Sequence, residues 1–142
     1  MRGYFRVSVS GIADNDDRFY FIISKSGGNP VAFAGWKQVG GIVKWNLLIR
    51  SGTGWANAYS TTSPSLNQWY CLELHWKKDS AAGLGELWVD GKLVCPITGK
   101  NTATYGNVNR VECGLPEIVN CASTMAYCDC IKAANTYVGP EQ

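Results

Sequence analysis

Apolar and polar residues alternate along most of this chain, and the alternation is clearest from Asn67 to Val94. Two successive stretches there place an apolar residue at every second position, with a glycine-bearing turn between them. A period of two puts alternate side chains on opposite faces of a β-strand. Asp90-Gly91 then supplies a tight turn, because such pairs readily adopt positive φ angles. The segment predicts a β-hairpin followed directly by a second hairpin.

The same alternation recurs from end to end, and long stretches rich in Ala, Leu, Glu and Lys are missing. Turn-rich sequences separate the alternating segments, and short connections of this kind are typical of β-sandwiches. We therefore predict an all-β fold, a two-sheet antiparallel β-sandwich. Its strands are expected at residues 2–10, 18–25, 31–37, 42–50, 55–61, 68–77, 85–89, 92–95, 108–114 and 125–133.

Three segments resemble laminin G-like, concanavalin A-like jelly rolls. Residues 67–94 contain the Gln-Trp strand start, the glycine turn and the Asp-Gly-Lys-Leu-Val stretch of a hairpin that lies late in that domain. Residues 2–10 and 17–24 are similar to its early antiparallel pair, and residues 124–140 to the closing strand of bacterial and archaeal members. The resemblance implies a sandwich whose concave face often binds glycans, and it implies no particular reaction.

The length of 142 residues favours one domain covering residues 1–142. Members of the family usually have further strand-forming sequence before the position of Met1, so we expect a domain that lacks N-terminal strands. Such a domain exposes a sheet edge, and an exposed edge can pair with a strand of another chain.

Charge and hydropathy argue against two classes of partner. The formal net charge is +2 without a basic run, which gives little support to binding of nucleic acid. No apolar run approaches the roughly 20 residues that a membrane-spanning helix needs. We therefore expect neither a nucleic-acid partner nor a membrane span.

Six cysteines favour a disulfide framework and hence a secreted or cell-surface protein, since disulfides persist in oxidising compartments. Two alternatives stay open. The last four sulfurs could surround zinc, although the usual C-x-x-C spacing is absent, or all six could be buried thiols. The candidates for disulfide bonds are Cys71, Cys95, Cys113, Cys121, Cys128 and Cys130.

Spacing within the predicted hairpins suggests how the cysteines pair. We expect Cys71 and Cys95 to lie almost opposite each other on neighbouring strands, within reach of a bridge. Cys128 and Cys130 are two residues apart on one strand and are expected to face the same way. We therefore expect them to bond with the two cysteines that precede them rather than with each other.

Aromatic residues mixed with charged ones mark the candidate ligand site. Sugar rings stack on aromatic faces while polar neighbours bond their hydroxyl groups. Phe5, Phe19, Phe21, Tyr70 and Trp76 share the apolar phase of their strands and are expected in the core. The opposite phase gives either a glycan-binding face or a solvated sheet face with cross-strand pairs. The predicted ligand-binding residues are Tyr4, Arg6, Tyr20, Glu73, His75 and Trp88.

A second candidate platform consists of Trp55 and Tyr59, which lie in a Gly- and Ser-rich setting. Exposed aromatic rings there could also stack on a sugar.

Hydrolysis of a glycoside would need two carboxylates at a defined separation. The triplet of alternating acidic residues that is common in glycosidases of this fold is absent here. A pair formed by Glu73 and Glu86 across the hairpin is conceivable, while Asp90 adjoins a turn. Carboxylates that face arginines are more often a salt-bridged surface, so we do not predict a hydrolase.

A polysaccharide lyase is a third alternative. His75 and either Tyr4 or Tyr20 could transfer protons, with Arg6 or Arg18 neutralising a uronate carboxylate. The motifs of the lyase families that use such groups are absent, and a lone histidine on a strand is usually structural.

Four consecutive polar residues, Asp14-Asn15-Asp16-Asp17, offer the oxygen ligands that calcium prefers, and relatives of the resembled family often bind calcium at the sandwich edge. The segment does not match an EF-hand loop, so calcium is possible here and a solvated turn is the simpler interpretation. We predict no other cofactor.

These inferences lead to a non-catalytic extracellular module that binds carbohydrate or another surface partner. The alternative is a structural subunit of a filament or surface layer, assembled through edge strands and disulfides. The sequence does not indicate which glycan is bound or how many copies associate.

Overall fold

The computed structural model of the protein describes residues 1–135, and these residues form strands and turns without a helix. No helix that could cross a membrane is therefore found in this part of the chain. Residues 136–140, the end of the third family-like segment, lie outside the described residues. The strands are β1 (Arg2–Val9), β2 (Arg18–Ser26), β3 (Asn29–Val39), β4 (Ile42–Ser51), β5 (Gly54–Tyr59), β6 (Trp69–Lys77), β7 (Gly83–Val89), β8 (Lys92–Lys100), β9 (Arg110–Val119) and β10 (Met125–Lys132).

The strands form two antiparallel sheets of five strands each, which confirms the predicted β-sandwich. Sheet I has the order β10-β1-β6-β7-β8, and sheet II has the order β5-β4-β3-β2-β9. Three tight hairpins follow from residue pairs with positive φ at both positions, Gly27-Gly28, Gly40-Gly41 and Asp90-Gly91. Such turns match the twist of the strands that they join. The predicted turn at Asp90-Gly91 is therefore confirmed.

The core lies between the sheets and is rich in aromatic rings. Phe5 of sheet I meets Phe21 of sheet II with ring centroids 5.2 Å apart. Trp45 of sheet II meets Tyr70 of sheet I edge-on at 5.0 Å. The aromatic residues predicted to be core are buried there, apart from Trp76, which is partly buried against it. Among the most buried side chains are Phe5, Val7, Phe19, Phe21, Ile22, Trp36, Trp45, Leu47, Ile49, Leu72, Leu74 and Leu87.

One predicted pairing is wrong. The first two strands do not pair, because β1 lies between β10 and β6 in sheet I while β2 lies between β3 and β9 in sheet II. The connection after Val9 crosses from one sheet to the other. Period-two alternation identifies strands and their buried faces, but it does not identify the partners of a strand.

Candidate functional site

The outer face of sheet I brings together five of the six predicted ligand-binding residues. Strands β1, β6 and β7 are neighbours, and their registers pair Tyr4 with Cys71 and Glu73 with Trp88. Because Phe5 and Val7 point into the core, the alternate residues of β1 point outward. The five residues on this face are Tyr4, Arg6, Glu73, His75 and Trp88.

Tyr20 does not belong to this face, so its assignment to a common site is wrong. It lies on β2, in the other sheet, and is 2% exposed. Its ring packs on Phe33 with centroids 4.7 Å apart. Burial raises the pKa of Tyr20 to about 12. Matching phases in two strands place residues on a common face only when the strands share a sheet.

A carboxylate and imidazole cluster forms the centre of the outer face of sheet I. His75 Nε2 lies 3.4 Å from Glu73 Oε2, and His75 Nδ1 lies 3.3 Å from Glu86 Oε2. The indole N–H of Trp88 donates to the same Glu86 oxygen at 3.1 Å, and its ring centroid lies 5.9 Å from that of His75. Fixed acceptors beside a half-buried indole ring are suited to hold hydroxyl groups of a ligand.

The same cluster bears on the two enzymatic alternatives. Both ring nitrogens of His75 face carboxylate oxygens, which favours a positioned, bridging imidazole over a proton acceptor open to substrate. Asp90 has a separate structural task, since its Oδ1 accepts the backbone N–H of Cys71 at 2.8 Å.

Arg2 lies on the same face as Tyr4 and is buried. Its Nε donates to Cys71 Sγ at 3.0 Å, and its Nη2 donates to the hydroxyl of Tyr4 at 3.2 Å. A charged donor strengthens such hydrogen bonds. These contacts hold Tyr4 in a defined position on the outer face.

Arg6 lies between two exposed aromatic rings, an arrangement that we call the Arg6 cluster. Its Cζ is 4.6 Å from the ring centroid of Tyr127 and 5.3 Å from that of Trp69. Register explains the meeting, because Arg6 is paired with Tyr127 on one side and Trp69 on the other. Each ring is 44% exposed. The cluster offers aromatic surface and a guanidinium group to solvent at one place.

Sequence reasoning missed Trp69 and Tyr127. Trp69 was detectable, since it shares the outward phase of Glu73 and His75 on β6. Tyr127 gave no such signal, because its place beside Arg6 depends on the pairing of β10 with β1.

The second predicted platform lies on the outer face of sheet II, where an arginine packs against the ring of Trp55. Arg50 lies between Trp55 and Tyr105, with its Cζ 4.1 Å and 4.9 Å from the two ring centroids. We call these three residues the Arg50 cluster. Trp55 also packs on Phe33 at 5.2 Å and borders an open cleft of about 520 Å³ between β5 and β8. Tyr59 lies further along β5, 5.9 Å from Lys37 Nζ.

The acidic segment proposed for calcium forms a turn in which the side chains of Asn15, Asp16 and Asp17 have partners within the protein. Asp17 accepts the backbone N–H groups of Ala13 and Asp14, which lowers its pKa. Asp16 pairs with Lys37 at 2.8 Å, and Asn15 accepts a backbone N–H of the β3–β4 turn. Within residues 1–135, no group of three or more His, Cys, Asp or Glu residues is arranged to hold a metal ion. Calcium binding stays a prediction.

All six cysteines are free thiols in the structure. The expected bridge between Cys71 and Cys95 is wrong, because β7 lies between their strands. In addition, Cys71 contacts Arg2 on the outer face while Cys95 is buried in the core. Burial raises the pKa of the Cys95 thiol to about 12, so this thiol is also protected from reaction.

The other cysteines differ in their surroundings. Cys121 is buried and donates to the carbonyl of Arg18 at 3.0 Å. Cys130 adopts a φ of 51° in the bulge of β10, which interrupts the alternation that was expected to align it with Cys128. Burial raises the pKa of Cys113, and nearby Cys128 raises it further. Bonds from Cys128 and Cys130 to the two preceding cysteines thus stay a prediction.

No protein-family model matches the chain, and no curated protein matches it. The resemblance to laminin G-like domains therefore stays a prediction, and the function has to be argued from the outer face of sheet I.

Proposed function

We propose that the protein is a non-catalytic carbohydrate-binding module, acting outside the cell or at its surface, whose ligand lies on the outer face of sheet I. The observation that carries the proposal is that one outer face presents exposed aromatic rings and fixed polar groups on four neighbouring strands, β10, β1, β6 and β7. Trp69 and Tyr127 offer ring surface, while Glu73, His75 and Glu86 form a held set of polar groups. Carbohydrate sites need both components.

The rigidity of the face supports the same proposal. The acidic side chain of Glu73 is buried, and its neighbour His75 lies between the carboxyl groups of Glu73 and Glu86. A ligand that binds to groups already in position loses less conformational entropy than one that must order them. The strands of an antiparallel sheet supply that order.

The test is a glycan array followed by calorimetry with three variants. We expect Trp69→Ala and Trp88→Ala to weaken binding of the best glycan by about 10-fold or more, because each removes ring contact and Trp88 also leaves Glu86 without its indole donor. Trp55→Ala is the matched control, since it removes an exposed tryptophan from the other sheet.

Two results would contradict the proposal. One is an array without any bound glycan. The other is loss of binding in Trp55→Ala together with full affinity in the two variants of sheet I, which would move the site to sheet II.

A structural subunit is the second candidate function, and the exposure of β10 favours it. This strand lies at the edge of sheet I, and seven of its eight residues are exposed. Met125 and Ile131 are among them, and an exposed apolar edge can pair with another copy of the chain. Light scattering decides: a mass near one chain at high concentration contradicts assembly, whereas growth of the particle with concentration supports it.

A further inference from the structure

We infer that the Arg6 cluster is a subsite for an acidic group, so that the ligand is a sugar ring bearing a carboxylate or a sulfate. This inference rests on the proposed function and adds the charge of the ligand to it.

The five arginines of the chain differ in their hydrogen bonding. Arg18 donates to the carbonyl of Asp16, Arg50 to the carbonyls of Pro30 and Thr53, and Arg110 pairs with Glu112. Arg2 donates to Cys71 and Tyr4, as described above. Each of these four guanidinium groups has an acceptor within the protein.

Arg6 differs from the other four. Its Nε is buried and has no hydrogen-bond partner among residues 1–135. No ion pair of Arg6 with a described carboxylate is found either. Asp129, the acidic residue of β10, uses its Oδ1 to accept the backbone N–H of Cys130 at 2.7 Å. A buried donor without an acceptor is costly, and here it belongs to a guanidinium group whose charge the described residues do not neutralise.

The geometry of the guanidinium group of Arg6 determines which kind of ligand group it can bind. The rings of Trp69 and Tyr127 flank the guanidinium group and its Nε is shielded from solvent, so its two terminal amino groups are the donors left for a ligand. A guanidinium group can only donate, and its planar fork matches the two oxygens of a carboxylate or a sulfate. Among residues 1–135 no carboxylate forms an ion pair with Arg6, which favours an anion over a neutral hydroxyl group.

The aromatic rings beside Arg6 indicate which kind of molecule carries the anion. The two flanking rings expose their remaining surface beside the guanidinium edge, and a sugar ring can stack there while its acidic group bonds Arg6. An acidic peptide offers the same charge without the stacking ring. The two exposed rings therefore favour an acidic carbohydrate.

The experiment compares matched oligosaccharides by calorimetry. One pair is tetragalacturonate and its fully methyl-esterified form, which differ in the carboxylate charge, and the other is a sulfated chondroitin tetrasaccharide and its desulfated form. We expect an acidic member to bind about 10-fold tighter or more than its partner, as a hydrogen bond to a charged group predicts. The pair that shows the preference identifies the source of the charge.

Three variants assign the preference to Arg6. Arg6→Gln should abolish the preference, so that the two members of a pair bind with equal affinity. Arg6→Lys should retain part of it, because the charge remains while the planar fork is lost. Arg50→Gln is the matched control, since it removes the same charge from a similar aromatic pair on the other sheet, and it should keep the full preference.

Failure of the inference and failure of the proposed function give different results. Equal affinity for both members of each pair, or a preference that survives in Arg6→Gln, overturns the acidic subsite and leaves the module standing. Binding of neutral array glycans with no binding of the acidic probes does the same. A tetraglutamate peptide that binds as tightly as tetragalacturonate overturns the carbohydrate part, and an array without any bound glycan overturns both.

Discussion

The Arg6 and Arg50 clusters contain the same three residue types, yet the structure employs them differently. In each, an arginine lies between a tryptophan and a tyrosine on the outer face of a sheet. Arg50 donates to two backbone carbonyls, those of Pro30 and Thr53, and so ties the start of β3 and the β4–β5 turn to the end of β4. Arg6 has rings on both sides but a buried Nε that finds no acceptor within the described residues 1–135.

The surroundings of the two clusters explain the difference. Beneath the Arg50 cluster lies a second apolar layer in which Tyr20, Ile23 and Phe33 are buried on the outside of sheet II. The face of sheet I instead contains buried charged residues, Arg2 and Glu73, and the imidazole of His75. The outer face of sheet II is therefore organised by packing, and that of sheet I by hydrogen bonds. On a face organised by hydrogen bonds, a donor without an acceptor among residues 1–135 indicates a ligand.

The largest expected contrast is in stability and concerns the aromatic rings themselves. Phe33→Ala should lower the free energy of unfolding by about 3–5 kcal/mol, because Phe33 is buried between Tyr20 and Trp55. Tyr127→Ala should lower it by less than about 1 kcal/mol, since that ring lies on the surface. Urea denaturation of both variants measures the difference. Equal losses would mean that the Arg6 cluster is a structural element like its counterpart.

The strands could be predicted well from the sequence, and the sheets could not. All ten predicted strands are found, because alternation and paired turn residues such as Gly40-Gly41 are local signals. The assignment of β1 and β2 to different sheets depends on pairing between segments far apart, which leaves no local pattern. The two main errors, Tyr20 at the site and the bridge between Cys71 and Cys95, both come from assuming the wrong neighbours.

The next contrast concerns the arginines. Arg50→Ala should lower the free energy of unfolding by about 1–3 kcal/mol, because it removes hydrogen bonds from a charged donor and the packing of the long side chain on two rings. Arg6→Ala should lower the free energy of unfolding by less than about 1 kcal/mol. It loses ring contacts, but it also removes a buried donor that has no acceptor among residues 1–135. Denaturation at the same pH and salt tests both, and a larger loss for Arg6→Ala would contradict the assignment of roles.

Alkaline pH should lower the stability of the protein through Tyr20, which is buried on the outer face of sheet II. Tyr20 has a pKa of about 12 in the folded protein against an ordinary value of 10.0, since burial disfavours its charged form. Between these values the unfolded chain has lost a proton that the folded protein keeps, so unfolding is favoured as pH rises. Stability is full below pH 10.0 and should fall above it by up to about 1.4 kcal/mol per pH unit from this group.

The control for this prediction is Tyr20→Phe, which cannot ionise at that position. Its unfolding free energy should fall less steeply between pH 10.0 and about 12 than that of the unaltered protein. Burial raises the pKa of Cys95 to about 12 as well, so some decline should remain in the variant. Identical slopes for the two proteins would show that Tyr20 is accessible to solvent.

Part of the candidate site could be predicted from the sequence. Alternation placed Glu73, His75 and Trp88 on one side of a predicted hairpin, and the hairpin is present with the expected facing. The Arg6 cluster was not predicted as a unit, because Trp69, Arg6 and Tyr127 come from three strands that are distant in sequence. Only the register of β1 with its two neighbours brings them together.

The smallest expected contrast separates two tyrosine hydroxyls, one on each face. The hydroxyl of Tyr4 accepts a hydrogen bond from the charged Arg2 at 3.2 Å, whereas that of Tyr20 lies 3.5 Å from Asn46 Oδ1, at the limit of a hydrogen bond. We expect Tyr4→Phe to lower the free energy of unfolding by about 1 kcal/mol and Tyr20→Phe by less than about 0.5 kcal/mol at neutral pH. Chemical denaturation with replicate curves resolves this difference. The reverse order would mean that hydrogen bonds, rather than packing, organise the outer face of sheet II, and the distinction between the two faces would then no longer hold.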